Sequence, residues 1–240
     1  MIMKYLLHTN RGELTVEILT KDIKSLRLKV FPDARVKMSV PLDTPSGFIV
    51  DFLNNKRSWI DKQLSIFSQT NAVEKEHAIL SGTSTRILGR QLAIKVIPCT
   101  RKRIVRDDHW LLIYTTEPNN QDDVNRQFAN WWQKTSRQYL LSQLKKLYPI
   151  VQKYGVSMPG LRVKKMQTLW GSCSPKLHVI SLNYYLYKAP VACVEYVILH
   201  EVLHFIYPKH DKQFYETLTV LMPDWQERKR LLDYEIVLGV

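Results

Sequence analysis

At 240 residues and 28.3 kDa the chain is long enough to bury a substantial core, as one large domain or two small ones. Hydrophobic residues at 45% and charged residues at 24% exclude wholesale disorder and a disulfide scaffold. The 35 Lys+Arg against 22 Asp+Glu give a formal charge of +13, which draws polyanions but is spread along the chain rather than gathered in a tail.

The opening MIMKYLLHTN is too short in its apolar stretch to be a signal-peptide core and runs into Arg11 and Glu13. From Gly12 to Val40 three segments alternate apolar and polar residues, namely 14–18, 26–30 and 36–40, which predicts a small antiparallel sheet. Pro41 closes the third. Residues 46–67 then space Phe48, Phe52, Trp59, Ile60, Leu64 and Phe67 as one helix. A second strand group follows at 85–90, 92–97 and 110–114. Between its members lies the densest basic cluster, Arg101, Lys102, Arg103 and Arg106, which reads first as a solvated strand or loop face.

Residues 117–121 have linker chemistry, and strand character gives way to helix after them. The expected division is therefore a β-rich region over 1–116 and a second region over 122–240. Residues 124–154 form a long helical pattern that Pro149 should interrupt or kink, with Trp131 and Trp132 as core residues. Strands are expected at 161–163 and 179–183, flanking Trp170-Gly171-Ser172-Cys173-Ser174.

Residues 191–207 read as a strongly apolar helix that nonetheless carries His200, Glu201 and His204. Burying ionisable groups without partners is costly, and a divalent cation supplies a compensating reason. Positions four apart lie on one helical face, so His200 and His204 can aim at a single ion. Glu201 sits about 100° round from His200, where its carboxylate can serve as general base without being a ligand. A catalytic zinc takes three protein ligands and keeps one position open. His210 is the natural third, because Pro208 stops the helix and the intervening residues let the chain turn back. Glu216, on a helix expected at 211–221, is the fallback. His8, His77, His109 and His178 are remote in sequence. Cys99, Cys173 and Cys193 form no CxxC pair, which argues against a thiolate zinc site and for a reducing cytoplasm. No apolar run approaches the ~20 residues of a membrane helix, so a cytoplasmic protein without a membrane partner is expected.

On these residues, with Leu26-Arg27-Leu28, Ser39-Val40-Pro41, Trp59-Ile60, the Trp170–Ser174 element, Ser181-Leu182-Asn183 and His200–His204 in order, the chain from about Lys24 resembles the YgjP-like metallohydrolases, relatives of the WLM and SprT-like zinc peptidases. The resemblance implies Zn2+ held by His200, His204 and His210, with Glu201 as catalytic acid/base. It implies an α+β fold whose N-terminal region is mainly antiparallel β with a helix and whose C-terminal half is zincin-like, helical, with a short sheet. Leu169 departs from the arginine the family usually carries there. The likeness also places Trp170, Ser172 and Asn183 beside the metal helix, where a hairpin edge could line the substrate groove; Tyr207 is a candidate to stabilise an oxyanion. Three functions follow as expectations: a metallopeptidase; a nucleoside triphosphate pyrophosphatase, with Lys164, Lys165 or Lys209 neutralising phosphate; and a DNA-associated protease in which residues 1–115 form a nucleic-acid or partner-binding module that brings the hydrolase to its target, the positive charge supporting phosphate contacts.

Overall fold

A computed structural model describes residues 2–10, 12–23, 25–31, 34–68, 78–166 and 169–237; the side chain of Phe67 and all of His77 fall outside that description. The fold is α+β, with a strand-rich start, later helices and small further sheets. Its contacts divide it into two compact units, one running from the first strand through the first two helices and the other from the fifth strand into the last helix.

In the first unit β1 (Ile2–Thr9) pairs antiparallel with β2 (Gly12–Thr20), β2 runs parallel to β4 (Val36–Val40), and β3 (Arg27–Val30) pairs antiparallel with β4. Alternate residues such as Val16 and Ile18 on β2 and Val36, Met38 and Val40 on β4 are buried, as period-two side-chain alternation requires. They pack with Ile49 and Leu53 of α1 (Ser46–Asn55) and Ile60 and Leu64 of α2 (Arg57–Ser68). Two features differ from the sequence expectation. The opening residues form a strand, and the single helix expected over 46–67 is two, broken at Lys56 after Asn54 and Asn55, which are poor helix formers.

In the second unit β5 (Ser84–Ile87), β6 (Arg90–Pro98), β7 (Arg103–Arg106) and β8 (Trp110–Thr115) form a sheet ordered β5-β6-β8-β7. The strand expected over 85–90 instead turns at Leu88 (φ 53°) and Gly89 (φ 81°), closing the β5–β6 hairpin. The basic cluster flanks and forms the edge strand β7. There the Arg103 guanidinium lies 4.2 Å from the centre of the Tyr114 ring, and Lys102 Nζ is 2.7 Å from an Asp123 oxygen.

The Asn120 side chain caps α3 (Gln121–Gln152) by accepting from the Asp123 N–H, and the helix continues past Pro149 close to its end. Trp132 is buried and donates its indole N–H to the Tyr184 carbonyl at 3.3 Å, a core residue as expected. The β5–β6 turn docks on the 3-10 turn Tyr184–Lys188: Leu88 N–H donates to Tyr187 and Gly89 N–H to Lys188, both at 2.9 Å. These bonds tie the second sheet to the segment leading into the next helix. The sequence places the division at 117–121, whereas the contacts group β5–β8 with the C-terminal half for this reason.

The third sheet, β10-β11-β9, combines β9 (Gly160–Lys164), β10 (Gly171–Ser174) and β11 (Val179–Asn183), with β10 at an edge. Against it pack α3, α4 (Val191–Leu203) and α5 (Lys212–Leu221), followed by α6 (Trp225–Val237). Their core includes Leu140, Leu144, Leu182, Leu199, Phe214 and Leu218. Among the described residues no helix is long and apolar enough to cross a membrane.

Candidate metal centre

Helix α4 is buried on nearly every face, so its ionisable residues are set among apolar neighbours. The helix ends at Leu203, with His204 as its C-cap, rather than running to Tyr207 as the apolar pattern suggests. The bonding tightens to i→i+3 from Phe205 onward, and Pro208, which lacks an N–H and disfavours helical backbone at Tyr207, keeps the helix from resuming. The early end has a use. The last turn tightens, with Ile206 and Tyr207 N–H groups both donating to the Leu203 carbonyl, and the Tyr207 carbonyl turns back to within 3.0 Å of His204 Nδ1. An Nδ1–H donated to that carbonyl leaves the His204 Nε2 lone pair free for a cation.

His210 returns to the same place. One ring nitrogen from each of His200, His204 and His210 lies within 4.8 Å of the others, and they form the one group of this kind among the described residues. His200 Nε2 and His210 Nε2 stand 2.9 Å apart. Two nitrogen lone pairs approach this closely only around a shared proton or cation. Burial, with His204, His210 and Lys229 nearby, drives the His200 pKa down to about 3, and burial beside His204 lowers that of His210. Both shifts favour the neutral imidazole, the form that binds metal. His200 Nδ1 is buried with no hydrogen-bond partner among the described residues. The donor set, three imidazole nitrogens within 4.8 Å of one another, fits zinc. Glu216 is not part of the group; it is exposed and lies 3.7 Å from Lys212. His178 is likewise elsewhere, its Nε2 within 2.9 Å of the Ser157 hydroxyl.

Glu201 is only 6% exposed, and burial pushes its carboxyl up to about 7. The wall beside it is Gly171, at the start of β10. A Cβ at Gly171 would lie 2.5 Å from Glu201 Cγ and 2.6 Å from its Oε1. The glycine is there so that the strand can close on the carboxylate. Next on the strand, Ser172 is half-buried opposite Ser181, and Cys173 is a half-buried thiol raised to about 12 by burial and by Glu201.

The remaining expected site residues make contacts of their own. Asn183 is 5% exposed; its amide donates to the Met166 and Leu169 carbonyls at 2.8 Å and its oxygen accepts from Tyr185 N–H. These bonds fix the approach to β10. The Trp170 carbonyl accepts from Asn183 N–H, and the Trp170 ring packs on the core. The Tyr207 hydroxyl oxygen accepts from Thr217 Oγ1 at 3.2 Å, and the Tyr207 carbonyl faces His204 Nδ1. Leu169 is exposed.

Sequence reasoning missed Phe214. It is fully buried at the first turn of α5, and its ring centre lies 4.9–5.0 Å from those of all three histidines, forming the apolar floor of the triad. Asp211 caps α5 by accepting the Phe214 N–H and so sets that ring directly after His210. The D-x-x-F spacing after His210 was the available signal.

An α+β unit with three histidines converging from a buried helix and the turn after it defines a candidate metal centre of hydrolytic type. The family model of the YgjP-like metallopeptidase domain matches residues 24–235, and the chain belongs to that family. No curated protein sequence matches the chain.

Proposed function

We propose that the protein is a zinc metallopeptidase in which His200, His204 and His210 hold the ion and Glu201 is the general base. The observation that carries this reading is the convergence of three imidazoles beside one buried carboxylate. Zinc in such a site supplies Lewis acidity to a carbonyl and a more acidic water. Glu201 takes a proton from the attacking water and returns it to the departing amine. Its carboxyl, raised by burial, has a proton affinity suited to both transfers near neutral pH. The edge strand β10 offers backbone groups to an extended peptide, which would join as an added strand next to Glu201. Family membership supports a polypeptide substrate.

The test is Glu201→Gln. It should keep one zinc per chain while losing about 10²–10⁴-fold in peptide hydrolysis, the usual worth of a general base. Zinc-loaded wild type is screened in parallel against peptides and nucleoside triphosphates. Pyrophosphate release without peptide cleavage would overturn the peptidase reading, and a fully active Glu201→Gln enzyme would remove Glu201 from its role.

A further inference from the structure

Three aromatic residues close a circuit behind the histidines. Tyr196, one turn before His200 on α4, has its ring centre 5.7 Å from that of His200. Trp225, at the start of α6, lies against Tyr196 (6.4 Å, 14° between planes) and against Tyr215 of α5 (5.3 Å, 24°). Tyr215 in turn stacks on His210 (6.1 Å, 27°), whose ring is 4.8 Å from His200. The stack is locked in register: the Trp225 indole N–H donates to Thr219 Oγ1 at 2.9 Å, and Thr219 Oγ1 donates to the Tyr215 carbonyl at 2.8 Å.

His200 and His204 are fixed by the helix that carries them and His204 also by the Tyr207 carbonyl. His210 has neither support: it lies in the turn between α4 and α5 and is exposed. Its ring is held by Phe214 from one side and by Tyr215 from another. Offset stacking of planar rings resists tilting and sliding. A ligand held in place before the ion arrives costs less ordering entropy on binding.

From these contacts we infer that Trp225, acting through Tyr215, is a positioning residue for the metal centre, and that α6 sets the metal affinity by clamping His210 toward His200. The inference rests on the zinc reading of the triad. Residues that orient ligands without touching the ion are typically worth about 10–100-fold in metal affinity.

The experiment measures zinc affinity by competition with a fluorescent chelator, together with the melting temperature of the metal-free protein. Trp225→Ala and Tyr215→Ala should each weaken zinc binding by about tenfold. Trp225→Phe and Tyr215→Phe keep a flat ring and should recover most of the loss. Because Tyr215 is 39% exposed, its truncation leaves the core intact, and that variant decides the matter should Trp225→Ala fail to fold. Arg228→Ala is the control. It breaks the 2.8 Å ion pair from α6 to Glu195 on α4 without touching the rings, and should lower the melting temperature while leaving zinc affinity within about twofold. Alanine variants that melt lower but bind zinc as wild type does would overturn the clamp and leave the function standing. A wild-type protein that binds no zinc would overturn both.

Discussion

Adding one methyl group at Gly171 tests the closest contact in the site. The new Cβ would stand 2.5 Å from Glu201 Cγ, 2.6 Å from Oε1 and 2.8 Å from Cδ, where ordinary contact begins near 3.4 Å. Something must therefore move by about 1 Å. The strand is pinned by pairing with Leu182 and, one residue earlier, by the bond between Asn183 N–H and the Trp170 carbonyl. Glu201 is the softer partner, since its side chain can change rotamer while the helix stays put. Overpacking of this kind costs about 1–3 kcal/mol, so Gly171→Ala should fold and melt only several degrees lower. Catalysis should suffer more. A catalytic group misplaced by 1 Å can lose about 10²-fold, and we expect that loss in kcat with zinc content unchanged. The assay pairs steady-state peptide hydrolysis with metal analysis and a melting curve. Activity within about threefold of wild type, in a variant that still needs Glu201, would refute the view that β10 fixes the carboxylate.

Asn183→Ala removes the buried amide that ties Met166, Leu169 and Tyr185, and losing these bonds should cost about 1–2 kcal/mol. Urea denaturation should show that loss and hydrogen exchange should quicken at residues 170–173; a loss under 0.5 kcal/mol would contradict the positioning role. At Glu195, burial works to raise the pKa but the bonds from Lys146 and Arg228 outweigh it and hold the carboxyl below its usual value of 4.5. A depressed folded-state pKa contributes stability that is full above 4.5 and fades as pH falls through the folded value. Glu195→Gln should thus cost about 1–3 kcal/mol at pH 7 and progressively less below pH 4.5, by denaturation across a pH series. An equal deficit at pH 7 and pH 3 would show that the pair's charge is not what matters.

Much of the candidate metal centre is written in local spacing. His200 and His204 meet because residues four apart share a helical face, and His210 follows because Pro208 forces a turn; both are short-range consequences of backbone geometry. The strands that alternate cleanly, such as 36–40, were legible for the same reason, while β1 was hidden because its apolar and polar residues do not alternate so cleanly. Helix 46–67 was over-extended, since the apolar period continues across the Lys56 break.

What spacing cannot carry is who stands next to whom across long loops. Sequence alone pointed to the convergence of the three histidines and to the α+β class. Only the tertiary structure decided that Gly171 closes on Glu201, that the Asn183 amide ties down the loop before β10, and that Phe214, Tyr215, Trp225 and Tyr196 surround the triad. Those contacts join segments distant in sequence, and they are chosen by the packing of a whole core, in which no single residue's neighbours are set by its own position in the chain.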